Sequence, residues 1–108
     1  MAQSLIYVTT GSRQEALDIG RALVECRLVA CANVLGPMTS MYWWEGEVNE
    51  DDEVPLILKT RDGLVGQVIE KVKEMHSYDC PCVVYLPITG GNQAFLDWIE
   101  AETAGQDR

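Results

Sequence analysis

From Leu28 to Thr60 the chain carries no helical pattern, and outside the Gly36-Pro37 break and an acidic run it is rich in β-branched, aliphatic and aromatic residues. This stretch restricts the fold more than any other feature. It must pair into a sheet, and the amphipathic helices on either side of it must pack against that sheet. Leu28 to Leu35 reads as one strand and Met38 to Trp44 as the next. Glu45-Gly46-Glu47 is a tight turn, because glycine can take φ > 0. The acidic Glu45 to Glu53 lacks the spacing of a calcium loop and reads as a solvated turn. Val54 to Thr60 returns as a strand, and Pro55, which has no N–H to give a ladder, implies an edge or a bulge there.

The flanks repeat one plan. Leu5 to Thr10 is a short buried strand. Ser12 with Glu15 three residues on makes a capping box, and Ala16, Ile19, Gly20, Leu23 and Val24 form a helical stripe. On the far side Asp62 is placed to cap a helix whose stripe is Val65, Val68, Ile69, Val72 and Met75. His76 falls at its C-terminal end, where the helix dipole favours a charged ring. Cys82 to Ile88 is a further strand, and Gly90-Gly91-Asn92 leads into a short helix with Phe95, Leu96, Trp98 and Ile99. The tail from Ala101 to Arg108 has little to bury and is expected to fray.

The order is β-α-β-β-α-β with one added helix. That predicts an α+β fold, a ferredoxin-like (split βαβ) sandwich with a long β-hairpin arm and an added C-terminal helix. The 108 residues form one domain, 1–108, ordered over about 4–102. Tyr42, Trp43 and Trp44 are consecutive, so both faces of the arm are apolar. Either the arm folds back over its own sheet or another chain covers it; the surplus of strand for a domain of this size favours an oligomer.

Eight Lys+Arg against seventeen Asp+Glu give a formal charge of −9. That sign repels phosphate backbones and anionic lipid, so neither nucleic acid nor membrane is an expected partner. No secretion-like segment opens the chain, and no apolar run reaches the roughly 20 residues of a membrane span. Cys26, Cys31, Cys80 and Cys82 are read as free thiols in a reducing, cytoplasmic setting.

Catalytic chemistry finds little support. There is one histidine, and no nucleophile elbow, Walker loop or dinucleotide fingerprint. A Cys–His pair could be drawn from His76 with Cys80 or Cys82, but no third group orients it. No enzymatic turnover is expected and no cofactor is required. Gly90-Gly91-Asn92 could hold an anion, yet a turn and cap explain it fully. His76, Cys80 and Cys82 are the candidate metal ligands, in an H-x3-C-x-C arrangement suited to Cu(I) or Zn(II). Against this, three ligands leave a tetrahedral zinc site incomplete, and free cysteines commonly pack as small hydrophobes. Cys26 and Cys31 are read as core residues.

Several segments together resemble the CutA family, the divalent-cation tolerance proteins. Leu28-Val29-Ala30-Cys31-Ala32-Asn33 is similar to its L-A-A-C-x-N strand, and Ser40 to Gly46 to its S-x-Y-x-W-x-G hairpin. Glu53, Leu56 and Lys59-Thr60 resemble its E-x-x-L-x-x-K-T strand. His76-Ser77-Tyr78-Asp79-Cys80-Pro81 resembles H-P-Y-x-x-P, and Gly91-Asn92 through Ile99 the closing helix. The resemblance implies a ferredoxin-like protomer in a homotrimer, similar to the nitrogen-regulatory PII proteins. It also implies ligand clefts between subunits, at positions matching Trp44, Lys59, His76 and Tyr78.

The function so implied is a response to metal ions, with copper as one candidate ion. In members with a proposed copper site, a cysteine near the end of the first strand joins a His-His pair. Thr9 and Met75 occupy two of those positions here and His76 the third, while Ser77 replaces the usual proline and Cys82 the usual glutamate. Two alternatives follow from the same architecture. One is a PII-like signalling trimer that binds a small anionic metabolite, with Lys59 as charge partner. The other is a trimeric scaffold for a partner protein. Three chains at −9 each would gather cations diffusely.

Overall fold

One strand of 15 residues organises the sheet. A computed structural model describes residues 2–103, with strands β1 (Gln3–Thr10), β2 (Cys31–Val34), β3 (Met38–Trp44), β4 (Glu47–Arg61) and β5 (Val83–Ile88). Helices α1 (Arg13–Glu25), α2 (Val65–Met75) and α3 (Gln93–Glu102) complete it. All pairings are antiparallel, in the order β2-β4-β1-β5, with β3 paired to the first half of β4. The fold is therefore mixed α+β, with an antiparallel sheet and three helices.

Strand alternation sorts the core. Ile6 and Val8 stand opposite Leu58 and Leu56 in the β1–β4 register, and all four are fully buried beneath α1 and α2. Each such side chain contributes about 2 kcal/mol through removal from water. Ala16, Ile19 and Leu23 of α1 and Val65, Val68 and Val72 of α2 close this layer. Gly20 permits a close approach: a Cβ there would sit 3.1 Å from Ala32 Cβ and 3.4 Å from Leu56 Cδ1. On the opposite face α3 buries Leu96 and Ile99, and Gln3 Nε2 donates to Glu100 across 2.8 Å.

Several details differ from the sequence reading. The acidic run is not a turn. Glu47 to Glu53 forms the outer half of β4, and the turn is Glu45-Gly46 alone, with φ of 51° and 80°. Two residues with positive φ between paired Trp44 and Glu47 match the right-handed twist of a tight hairpin. Pro55 lies in a strand paired on both flanks, but its carbonyl accepts from Leu35 N–H at 3.0 Å. In an antiparallel strand the N–H and C=O of one residue point the same way. The missing donor thus falls where pairing passes from β3 to β2.

Asp62 does not cap α2. It starts a single 3-10 turn, Asp62–Leu64, and its carboxylate accepts from Ser4 Oγ at 3.0 Å. The chain end is also better held than expected. Ala101 and Glu102 belong to α3, and Thr103 is fully buried, with its hydroxyl donating to Ile99 O at 2.7 Å. Arg61 Nη2 donates to Thr103 O at 2.9 Å. Residues 104–108, the rest of the tail expected to fray, lie outside the described residues.

The hairpin projects from this body. The radius of gyration, 14.4 Å, exceeds the roughly 13 Å of a compact chain of this size, and the longest extent is 44 Å. Met41, Trp43, Trp44 and Val48 on the arm are each more than half exposed, as are Val84 and Leu86 of β5. The arm does not fold back over its own sheet. Among the described residues no helix is long and apolar enough to cross a membrane.

Candidate functional site

The segment after α2 is tied down at three points. α2 ends at His76, whose extended backbone turns the chain away and whose N–H still reaches Val72 O at 2.9 Å. The His76 side chain is fully buried. Its Nε2 donates to Thr9 O at 2.7 Å, and its Nδ1 accepts from the Tyr78 N–H at 3.1 Å. Both ring nitrogens are committed, in the pattern of the neutral Nε2–H tautomer. The Tyr78 ring covers the imidazole, with centroids 4.6 Å apart.

Glu15 supplies the second tie. Ser12 Oγ accepts from Glu15 N–H, as the capping box requires, but the carboxylate reaches past Ser12. It accepts from Gly11 N–H at 2.9 Å and from Ser77 N–H at 2.8 Å, which joins the start of α1 to the end of α2. Burial pushes the Glu15 carboxyl up, but the Gly11 amide and the Ser77 hydroxyl and amide outweigh it and hold the group below the usual carboxylate range. The third tie is Tyr78, whose hydroxyl donates to Glu53 Oε2 at 3.1 Å. Burial and that carboxylate push the phenol up to about 12.

These ties set a loop against one face of the arm. Ser40, Tyr42 and Trp44 alternate onto that face of β3, and the Tyr42 hydroxyl donates to Asp51 on β4. Asp51 raises the Tyr42 phenol above its ordinary value. A hollow of about 270 Å³ lies between Tyr42, Trp44, Tyr78, Asp79 and Cys80. A second, of about 280 Å³, shares Tyr42, Tyr78 and Cys80 and extends to Thr9, Ser40, Glu53 and Cys82. Together they make an aromatic groove with carboxylates and two thiols at its walls.

The groove unites part of the expected site. Trp44 and Tyr78 share it, whereas His76 is sealed behind Tyr78. Lys59 is elsewhere: its ammonium donates to Asn33 Oδ1 at 2.9 Å and lies 5.7 Å from the Phe95 ring centroid, beside α3. The triad His76, Cys80 and Cys82 is not assembled within the chain, because the imidazole has no free lone pair. No group of three or more His, Cys, Asp or Glu able to hold a metal ion occurs among the described residues.

Thr9 contributes its carbonyl to His76, and Met75 packs half-buried against the core. All four cysteines are free, but Cys26 is exposed and Cys31 half-buried, so neither is the core residue expected. Cys26 follows α1 and Cys31 opens the edge strand β2, both beyond the layer that α1 and α2 cover. Glu15, Tyr42 and Glu53 were visible in the sequence only as a cap and as motif positions; their partners lie on other elements.

The profile of the family described as CutA1 divalent ion tolerance protein matches residues 4–102. The divalent-cation tolerance protein CutA of Thermus thermophilus is 42% identical over 101 residues, covering 94% of this chain and 98% of that protein. Its counterpart in Archaeoglobus fulgidus is 42% identical over 97 residues, covering 90% and 94%. The crystal structure of CutA1 from Oryza sativa superposes with a TM-score of 0.93 at 37% identity, covering 97% of this chain and 96% of that one. The chain spans 56% of the length of the chloroplastic CutA 1 of rice, at 39% identity. The chain belongs to the CutA1 divalent ion tolerance family.

Proposed function

We propose that the protein acts without catalytic turnover in the response to divalent cations, as a homotrimer in which neighbouring chains cover the hairpin arm. The observation that carries the assembly is the apolar surface one chain leaves open: Trp43 is 75% exposed and Met41 70%. Open strand edges and an apolar arm together favour pairing with further copies. The sheet order β2-β4-β1-β5, with two helices on one face, supports the ferredoxin-like reading and its PII-like assembly. The cation role rests on family membership and on relatives named divalent-cation tolerance proteins. The formal charge of −9 per chain supports it by drawing cations to the surface.

The cytoplasmic setting rests on the four free thiols. The Archaeoglobus relative is described as periplasmic and the rice protein as chloroplastic, so cell fractionation is the direct check. Copper is one candidate among the ions. An anionic metabolite is less well served, because Lys59 is bound to Asn33 and lies away from the groove.

A thermal-shift screen tests the reading, since a ligand that binds only the native state raises its melting temperature. A shift with divalent cations is expected. Shifts with anionic metabolites alone, or with nothing as a scaffold requires, would overturn it.

A further inference from the structure

The groove holds two sulfur atoms that nothing above employs. Cys80 and Cys82 are both exposed free thiols, separated by Pro81, and both line the hollow bounded by Ser40, Glu53 and Tyr78. Cys80 lies in the bend after α2 and Cys82 just before β5, and the shared hollow places both beside one space. Cys82 is fixed to β1 through its carbonyl, which accepts from Thr9 N–H at 3.3 Å. Pro81 restricts the backbone between the two thiols, which lowers the entropy lost in holding both on one ion.

The remaining donors are unsuited or already engaged. The Thr9 and Ser40 hydroxyls are hard ligands, Glu53 Oε2 accepts from Tyr78, and His76 has both nitrogens committed. Two soft donors without a third do not make a tetrahedral zinc site. Thiolates do select soft ions such as Cu(I).

We propose that Cys80 and Cys82 form a two-sulfur site for a soft monovalent cation of the Cu(I) or Ag(I) type. On binding, each thiol releases its proton to solvent and each sulfur forms one bond to the ion. The resulting bis-thiolate complex carries one net negative charge, and no electron is transferred. The acidic surface concentrates the ion and makes its capture sensitive to salt. The site's physiological meaning rests on the cation-response reading; its chemistry does not.

The test titrates the reduced full chain anaerobically with Ag(I), and with Cu(I) against a chromogenic chelator, reading native mass and reactive thiols. One ion per chain is expected, with loss of two of the four thiol reactivities. Cys26→Ser/Cys31→Ser should bind identically, whereas Cys80→Ser/Cys82→Ser should lose the ion while its metal-free melting temperature stays unchanged. Retention of the ion by Cys80→Ser/Cys82→Ser, its loss in Cys26→Ser/Cys31→Ser, protection of a single thiol, or equal retention of Zn(II) would each overturn the proposal. The divalent thermal shift, measured in parallel, decides the functional reading separately, because the Ag(I) titration does not depend on it.

Discussion

Glu15→Ala is the substitution that most sharply probes how the groove is held. The carboxylate accepts from Gly11 and Ser77 amides at 2.9 and 2.8 Å, and its side chain is only 15% exposed. A hydrogen bond to a charged group contributes about 1.5–3 kcal/mol, and partial access of water to the exposed amides lowers that to about 1 kcal/mol each. The expected loss is therefore about 2 kcal/mol for Glu15→Ala, and about half that for Glu15→Gln, which keeps one acceptor oxygen. The Ser12 cap is untouched in both. Urea denaturation at matched protein concentration measures the difference, since assembly makes stability concentration-dependent.

The pH dependence has a definite sign. The folded Glu15 carboxyl lies below its unfolded value of about 4.3, so its contribution is fully present above that pH. It is lost as pH falls through the folded value. The stability gap between the native chain and Glu15→Gln should accordingly shrink as pH drops below about 4.3. A gap that stays constant or widens under acid would refute the tie of Glu15 to Gly11 and Ser77, as would a Glu15→Ala loss below about 0.5 kcal/mol, the size of an ordinary surface effect.

Three further outcomes are expected. Gly20→Ala should destabilise by about 1 kcal/mol even though it gains about 1 kcal/mol in helix propensity, because overpacking against Ala32 and the buried Leu56 costs about 2 kcal/mol; adding Ala32→Gly should recover most of the loss in a double-mutant cycle. Leu56→Ala should cost about 3 kcal/mol by denaturant titration, as for other fully buried leucines. The phenol of Tyr78 is raised to about 12, so its contribution is complete below the unfolded value of about 10 and lost as pH rises toward 12; alkaline denaturation should fall more steeply for the native chain than for Tyr78→Phe.

Local signals carried the strands, helices and first cap, and tertiary ones did not show. The stripe Ala16, Ile19, Gly20, Leu23 marks the buried face of α1 because one side of that helix meets a sheet. The outer half of β4 was not legible for the opposite reason: Asp51 and Asp52 are exposed on a two-stranded ribbon outside the core, so no apolar alternation marks them. The burial of His76 was not legible in the sequence, because its place at the end of α2 says nothing of Thr9, 67 residues away, whose carbonyl accepts from its ring. Trp44 and Tyr78 line one hollow of the chain because the loop after α2 packs against β3. Lys59 lies beside α3, over Phe95, outside that hollow.

Assembly into a trimer is the central claim of the proposed function, because it covers the exposed arm. Native mass spectrometry of the reduced protein at micromolar concentration reads it directly. The account requires a species with the mass of three 12.0 kDa chains, which Trp43→Asp should weaken toward smaller species. A stable 12.0 kDa monomer, with the exposed arm uncovered, would contradict it.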